Sequence, residues 1–353
     1  MGTFSDRTAA RQRAVQGLQM SNQRAQRDCI DGVLLIDKPV GLSSNDALMG
    51  ARRLLNARKA GHGGTLDPMA SGLLPVAFGE ATKFVGDALG ADKAYLATLT
   101  LGVVTDSADA EGAVIRRASP EVDEPAFRAL ALSFVGEIDQ VPPMHSALKR
   151  DGRPLYEYAR AGLSVERAPR RVTVHSLDVL AFEAVPDVNA GEPGSLRALI
   201  RVACSKGTYI RTLAQDIGER LGCGAYLSAL RRERVGALRV ENAVTLDRLE
   251  AMSSAERISS LAPVDFLLAS LQKTELDDAY ARRFLHGQRL RIAPAGARPG
   301  ARARDERVRV YCRGELLGVA TVEDGVLVPS RLVVNASQID SNIESSSGTG
   351  YRQ

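Results

Sequence analysis

Apolar and polar residues near the start of the chain predict a strand followed by a helix. Val33-Leu34-Leu35-Ile36 is a continuous apolar run typical of a buried strand, and the turn at Lys38-Pro39-Val40-Gly41 ends it. Ser43 and Asp46 then have the spacing of a capping box. The apolar residues that follow fall on one face of a helix: Ala47, Ala51, Leu54 and Leu55.

The middle of the chain contains further strands and helices. Lys93 to Val103 alternates as a long half-buried strand, and Thr212 with Gln215 suggests a second capping box. Segments 121–135 and 153–161 have the helical pattern, whereas 171–182 and 195–204 have the alternation of two strands joined by a Pro/Gly-rich hairpin region. These elements predict an α+β fold with a large mixed, mainly antiparallel sheet flanked by helices.

The pattern changes after Pro263, which indicates a second domain. A short helix is predicted at 277–285 and strands near 308–311 and 316–322. We therefore divide the chain into a disordered basic arm (1–30), a main domain (31–265), a small β-rich domain (273–335) and a disordered tail (336–353).

Composition narrows the class of protein. The 353 residues are 44% hydrophobic and 25% charged, and no apolar run approaches the ~18 residues of a membrane helix. The four cysteines are far apart and no zinc-ligand spacing occurs, so no metal is expected.

No apolar signal segment stands at the start, which favours the cytoplasm. An organellar transit peptide is the weaker alternative, because Asp6 and Asp28 interrupt its acid-poor pattern.

Positive charge is concentrated in two segments although the net charge is only +4. Residues 141–175 contain seven Lys and Arg against three acids, and residues 201–240 contain eight against three. Such clusters suit a polyanion such as RNA, while scattered arginines on solvated faces explain them equally well. Charge alone therefore leaves the partner open.

Common nucleotide-binding and hydrolase motifs are missing from the sequence. It contains no GxxxxGK[ST], no GxGxxG after a strand, no GxSxG and no HExxH. Ser205-Lys206-Gly207-Thr208 has the Lys and Gly of a phosphate loop in the reverse order. ATP-dependent, nicotinamide-dependent and serine-hydrolase activities are therefore not expected.

The most unusual stretch runs from Gly61 to Pro75 and contains one acid, Asp67. Its glycines and prolines are too dense for a regular helix or strand, and its apolar residues favour an ordered loop. Glycines allow a backbone to approach a ligand closely, so Asp67 is a candidate catalytic carboxylate. The alternative is that Asp67-Pro68 merely starts a turn.

Four motifs follow one another along the chain: Lys38-Pro39-Val40-Gly41, Gly63-Gly64-Thr65-Leu66-Asp67-Pro68, Lys93-Ala94-Tyr95 and Cys204-Ser205-Lys206-Gly207-Thr208-Tyr209-Ile210-Arg211. In this order and spacing they make the chain resemble the TruB family of tRNA pseudouridine-55 synthases. The resemblance covers about 32–240, and the end of the chain from about residue 273 resembles a PUA RNA-binding domain. It implies the pseudouridine synthase fold and isomerisation of uridine at position 55, in the T-loop of tRNA.

The resemblance also implies roles for individual residues. Asp67 is similar to the carboxylate that attacks the nucleoside, Tyr95 to the aromatic ring packed on the flipped base, and Arg211 to the cation that orients the aspartate. Tyr209 and Leu230 match contacts of the base pocket. Two further substrate-binding residues are expected, His62, which helps to open the T-loop, and Lys38.

The implied reaction breaks the N1–C1′ bond of uridine and rejoins the base through C5, so neither a cofactor nor a metal is expected. Attack at C1′, attack at C6 and a glycal route all use the carboxylate. A base stacked inside RNA has to be flipped out, and Tyr95 and Tyr209 offer aromatic surface in exchange. Candidate RNA-backbone contacts are Lys149, Arg150, Arg153, Arg231 and Arg232.

The partner expected from the resemblance is the T-arm of tRNA, bound by a monomer that needs no other protein. Two alternatives remain open. One is the core of a guide-RNA-dependent synthase, although the long Lys-rich tails of its eukaryotic members are missing. The other is an RNA chaperone in which catalysis is secondary.

Overall fold

The structure is a computed structural model that describes residues 27–185, 194–291 and 306–333. Most of the predicted arm (1–30) and the predicted tail (336–353) lie outside the described residues. The α-helices are α1 Ser44–Leu54, α2 Val85–Gly90, α3 Glu124–Leu132, α4 Leu155–Arg160, α5 Ile210–Arg220, α6 Leu246–Ala251, α7 Ser254–Ser259 and α8 Asp278–Leu285. Short 3-10 helices span Gly79–Phe84, Val240–Asn242 and Val264–Leu268.

Strands make up most of the regular structure. In the first half they are β1 Gly32–Lys38, β2 Ala60–His62, β3 Ala70–Phe78, β4 Lys93–Leu101, β5 Val103–Thr105, β6 Val114–Arg117, β7 Gly136–Gln140, β8 Lys149–Arg150 and β9 Arg153–Pro154. The remainder are β10 Arg170–Val185, β11 Ser195–Cys204, β12 Ala225–Val235, β13 Leu238–Arg239, β14 Val244–Thr245, β15 Gln272–Glu275, β16 Leu290–Arg291, β17 Glu306–Cys312, β18 Glu315–Glu323 and β19 Val326–Leu332.

A ten-stranded sheet forms the centre of the larger part of the molecule. Its main path is β14-β1-β3-β12-β4-β11-β10-β7, with β13 paired to β12 and β2 paired to β3. Two pairs, β1 with β14 and β3 with β12, are parallel, and the other pairs are antiparallel. The predicted α+β class with a mixed, mainly antiparallel sheet is confirmed.

Helices cover the sheet through apolar side chains. Phe127 of α3 and Leu213 and Ile217 of α5 pack against the alternate apolar residues of β4 and β11, in a core that also contains Tyr95. Ala47 and Ala51 of α1 pack on β1 and β3 in a second core. The capping box of α1 is confirmed, because Ser43 accepts from the N–H of Asp46 and the Asp46 carboxylate accepts from Ser43.

Two local predictions are wrong. The stretch 61–75 is not one loop, since β2 ends at His62 and β3 begins at Ala70, and only the residues between them are irregular. The helix near Thr212 begins earlier, at Ile210, with Tyr209 as its N-cap and no side-chain cap. Tertiary packing of the apolar β3 segment outweighs its glycine and proline content.

The second sheet, in the order β15-β17-β18-β19-β16, belongs to the small β-rich region and carries α8. It packs on the larger part of the molecule through Val319, which lies in one apolar cluster with Phe84 and Leu268. Polar contacts support the interface, because Lys83 Nζ donates to the carbonyl of Leu332 at 2.8 Å. The exact domain boundaries at 265 and 273 stay a prediction.

Candidate active site

Asp67 lies on a loop that several hydrogen bonds hold in place. The hydroxyl of Ser44, at the start of α1, accepts from the N–H of Leu66 at 2.7 Å and donates to its carbonyl at 3.0 Å. The N–H of Gly41 donates to the carbonyl of Pro68 at 2.8 Å. The turn after β1 and the first turn of α1 therefore fix the loop on both sides of the carboxylate.

The carboxylate of Asp67 forms an ion pair with Arg211. Arg211 Nε lies 3.0 Å from Asp67 Oδ2, and only 5% of the arginine side chain is exposed, against 35% of Asp67. Arg211 is in the first turn of α5, directly after the N-cap residue Tyr209. The structure brings Asp67 and Arg211 together.

A second carboxylate, Asp109, shares the same guanidinium. Arg211 Nη1 lies 3.3 Å from Asp109 Oδ2 and donates to the carbonyl of Ser107, and Nη2 donates to the carbonyl of His145. Asp109 is 4% exposed and was missed in the sequence. The only available signal was the acid-rich turn 106–111, which also suits a solvated loop.

The loop after β5 holds Asp109 through its own hydrogen bonds. Asp109 Oδ1 accepts from the Ser107 hydroxyl at 2.5 Å and from the N–H of Glu111 at 3.1 Å, while Thr105 donates to its carbonyl at 2.7 Å. Ala108 has a φ of 60°, a left-handed conformation that costs a non-glycine residue free energy. This loop presents one oxygen of Asp109 to Arg211.

Burial and the neighbouring Asp109 raise the pKa of Asp67, whereas Arg211 opposes the rise. The ion pair with Arg211 therefore does not bring the pKa of Asp67 below its ordinary value. One guanidinium divides its charge between two carboxylates, and desolvation disfavours the charged form. A carboxylate in this setting is less solvated, and hence more reactive, than one at the surface.

The predicted base-pocket residues lie in the same cavity as Asp67. This cavity has a volume of about 360 Å³, and its lining includes Tyr95, Tyr209, Leu230, Asp67 and Arg211. Its volume is within the range of small-ligand pockets, about 300–1,000 Å³. Gln140 fixes the backbone of Tyr209, because its side chain accepts from the Tyr209 N–H at 3.0 Å and donates to the Tyr209 carbonyl at 3.3 Å.

His62 borders an adjoining cavity of about 600 Å³, which Asp67 also lines. Its Nδ1 is buried without a hydrogen-bond partner. Burial, and then the charge of Arg232, lower the pKa of His62. The lowered pKa favours a neutral imidazole at the border of this cavity.

Two predicted ligand contacts are contradicted by burial. Lys38 is fully buried, its ammonium donates to the carbonyls of Pro39 and Leu42, and burial lowers its pKa to about 8. It braces the turn that supports the Asp67 loop. Arg232 is only 1% exposed and therefore does not reach an RNA backbone. Arg231 is half-buried in a bidentate pair with Asp37, at 2.9 and 2.7 Å.

The other predicted RNA contacts lie together on a small hairpin. Lys149 and Arg150 form β8, Arg153 begins β9, and all three are exposed. Asp151 and Gly152 join the strands with φ values of 51° and 80°, as a type I′ turn requires. The residues just before this hairpin, Ala147 and Leu148, line the cavity of Asp67, so the hairpin stands at its mouth.

Comparison with known proteins gives consistent matches along the chain. Residues 52–210 match the TruB family pseudouridylate synthase N-terminal domain, and residues 211–277 match the tRNA pseudouridylate synthase B C-terminal domain. Residues 273–333 match the C-terminal region described as pseudouridine synthase II TruB.

Curated relatives agree with the domain matches. The tRNA pseudouridine synthase B of Burkholderia mallei (strain ATCC 23344) is 59% identical over 89% of this chain and 97% of its own length. That of Ralstonia nicotianae is 58% identical over 86% of this chain and 94% of its own. Among solved structures, the archaeal box H/ACA sRNP Nop10-Cbf5 complex has a TM-score of 0.63 at 25% identity, covering 87% of this chain and 88% of that chain.

The described residues contain neither a membrane-spanning helix nor a metal-ligand cluster. None of their helices is long and apolar enough to cross a membrane. No group of three or more His, Cys, Asp or Glu side chains among these residues is arranged to hold a metal ion.

Proposed function

Because the chain belongs to the TruB family of pseudouridylate synthases, we propose that it converts uridine to pseudouridine at position 55, in the T-loop of tRNA. The observation that carries the proposal is the cavity in which Asp67, paired with Arg211 at 3.0 Å, lies beside Tyr95, Tyr209 and Leu230. It combines a partly buried carboxylate with aromatic and apolar walls that fit a flipped base. A tRNA substrate agrees with the cytoplasmic location expected from the sequence.

The proposed chemistry assigns each of these side chains one task. Asp67 stabilises or traps the ribosyl or base carbon while the N1–C1′ bond breaks, and the base then turns and bonds through C5. The proton that leaves C5 is balanced by the proton gained at N1, so the product is an isomer. Arg211 orients the carboxylate, while Tyr95 stacks on the base between Leu230 and Tyr209.

The exposed hairpin 149–154 and its basic residues provide the proposed contact with the RNA backbone. Arg153 and Arg160 lie over the rings of Tyr158 and Tyr156, at 5.1 and 5.3 Å from the ring centroids. These stacked pairs stiffen the segment next to the cavity mouth. A basic rim around a cavity with aromatic walls fits a folded RNA loop better than a free nucleoside.

The decisive experiment uses the purified full chain alone with an unmodified tRNA transcript. We expect one pseudouridine, at position 55, when modification is mapped at nucleotide resolution. A transcript with cytidine at that position and the Asp67→Asn variant are the matched negative controls. Modification elsewhere would refute the assigned target.

The same assay distinguishes the proposed function from the alternative of a guide-RNA-dependent synthase. That alternative draws on the likeness to Cbf5, whose solved structures are complexes with partner proteins. It requires that the purified chain be inactive until a guide RNA and partner proteins are added. Turnover by the chain alone supports the proposal of a monomer that needs no obligate protein partner.

A further inference from the structure

Two neighbouring arginines of β12 have opposite environments. Arg231 forms a partly exposed ion pair with Asp37. Arg232, the next residue, is among the largest fully buried side chains of the described residues. Successive side chains of a strand point to opposite faces, so one of the two has to enter the interior. A buried guanidinium is costly unless hydrogen bonds replace its lost hydration.

The guanidinium of Arg232 is satisfied by the backbone around Asp67. Its Nε donates to the carbonyl of Leu73 at 2.7 Å, Nη2 to that of Gly64 at 3.2 Å, and Nη1 approaches that of Thr65 at 3.4 Å. These carbonyls lie on both sides of Asp67 in the chain. Arg232 thus ties the start of the Asp67 loop to the strand that follows it.

Two glycines, Gly64 in the Asp67 loop and Gly72 in β3, make room for Arg232. Gly64 has a φ of 130°, and a Cβ there would lie 3.3 Å from Arg232 Nη1. Gly72 has a φ of 100°, and a Cβ there would lie 2.3 Å from the Arg232 carbonyl oxygen. Part of the unusual glycine content of residues 61–75 is therefore required by contact with Arg232.

Arg232 also faces Tyr95 directly. The two residues are partners in the β12–β4 register, and both line the cavity of Asp67. The charge of the Arg232 guanidinium therefore acts on the Tyr95 phenol across this strand pair.

We propose that Arg232 is a positioning residue, which holds the Asp67 loop through backbone carbonyls and places its charge beside the Tyr95 phenol. No carboxylate of the described residues forms an ion pair with Arg232, so the side chain serves these neutral partners rather than a charge. The inference rests on the proposed function for the identity of the base. The contacts themselves do not depend on it.

The test compares Arg232→Met, which keeps an apolar stem of similar length, with Arg232→Lys, which keeps the charge and loses the planar donors. Single-turnover rate at saturating tRNA and tRNA affinity are measured on each. We expect a rate loss of about 100-fold for Arg232→Met, because a small displacement of catalytic groups has that effect. Affinity should stay within about 3-fold, since Arg232 does not reach the surface.

A second readout follows the Tyr95 phenol without any substrate. Burial raises the pKa of Tyr95 and the Arg232 charge opposes that rise, so Arg232→Met should raise it further. Ultraviolet difference titration measures this, with Tyr95→Phe in each background subtracted to isolate the signal. Arg232→Lys should show a smaller change because it retains a cation.

Arg197→Met is the matched control, because Arg197 is exposed and forms a surface pair with Glu183 on β10. Wild-type rates in folded Arg232→Met or Arg232→Lys would overturn the proposal, as would a loss confined to affinity. If Arg232→Met does not fold, Arg232→Lys decides the question alone, with a rate loss of about 10-fold or more expected. An inactive wild type would instead refute the proposed function. The Tyr95 titration would still test whether Arg232 acts on Tyr95.

Discussion

Arg211 Nε lies 3.0 Å from Oδ2 of Asp67, which links the first turn of α5 to a loop between two strands of the central sheet. The same guanidinium also pairs with Asp109, at 3.3 Å. One cation therefore serves two carboxylates, of which Asp109 is buried and Asp67 faces the cavity. The arrangement orients Asp67 without neutralising it completely, and the direction of its pKa shift agrees.

The first prediction concerns Asp67→Asn, which keeps the size and hydrogen-bonding reach of the side chain and removes its charge. Turnover should fall below detection while tRNA affinity is retained, because catalysis needs the carboxylate and binding does not. Single-turnover assays and filter binding on the same samples measure both. If Asp67-Pro68 only starts a turn, Asn would serve nearly as well and the variant would remain active.

The second prediction concerns the pH dependence of stability. Because the folded protein raises the pKa of Asp67, its protonated form is favoured, and this stabilisation is full below the unfolded value of 3.8 and is lost as pH rises through the raised pKa. Asp67→Asn should therefore be more stable than wild type at pH 8, by about 2 °C in Tm, and the difference should shrink toward pH 4. Thermal unfolding across this range measures it, and a constant difference would contradict the assigned shift.

The same direction of shift governs activity. The ionised carboxylate is the reactive form, so the acidic limb of the single-turnover rate should lie at a higher pH than an ordinary aspartate would give.

The third prediction concerns Asp109→Asn. The amide loses the charge that holds Arg211 and disturbs the hydrogen bonds from Ser107 and Glu111, so we expect a rate loss of about 100-fold. Stability should fall by about 2 kcal/mol, since the side chain is buried. Asp106→Asn is the matched variant in the same loop, because Asp106 accepts from the Ala113 N–H and does not pair with Arg211. Equal losses in the two variants would assign the effect to the loop rather than to Arg211.

The fourth prediction concerns the exposed hairpin. Changing Arg150 and Arg153 to Gln should weaken tRNA binding and reduce the slope of log affinity against log salt, by about one unit for each phosphate that is no longer neutralised. The rate at saturating tRNA should change little. Arg197→Gln is the control, since Arg197 lies about 23 Å along β11 from the end of that strand near the cavity. An unchanged slope in the double variant would place both arginines on a solvated face.

Much of the local structure follows from the sequence alone because it depends on neighbouring residues. The alternation in 171–182 and 195–204 predicts the antiparallel pair β10–β11, and Ser43 with Asp46 predicts the start of α1. The order and spacing of motifs can also be read directly from the sequence. Asp67, Tyr95 and Arg211 are identified in this way, through the family resemblance. The comparisons confirm the family, and the individual roles of these residues stay predictions.

The tertiary structure decides which charged side chains are inside the protein. Arg231 and Arg232 are the same residue type, and only the register of β12 against β3 and β4, with its irregularity after Arg232, sends one to Asp37 and the other beneath the Asp67 loop. Long-range packing likewise buries Lys38 and brings Asp109 to Arg211. Strand register and long-range packing set these contacts, and a pattern read along the chain contains propensity and periodicity but not the distance between remote residues.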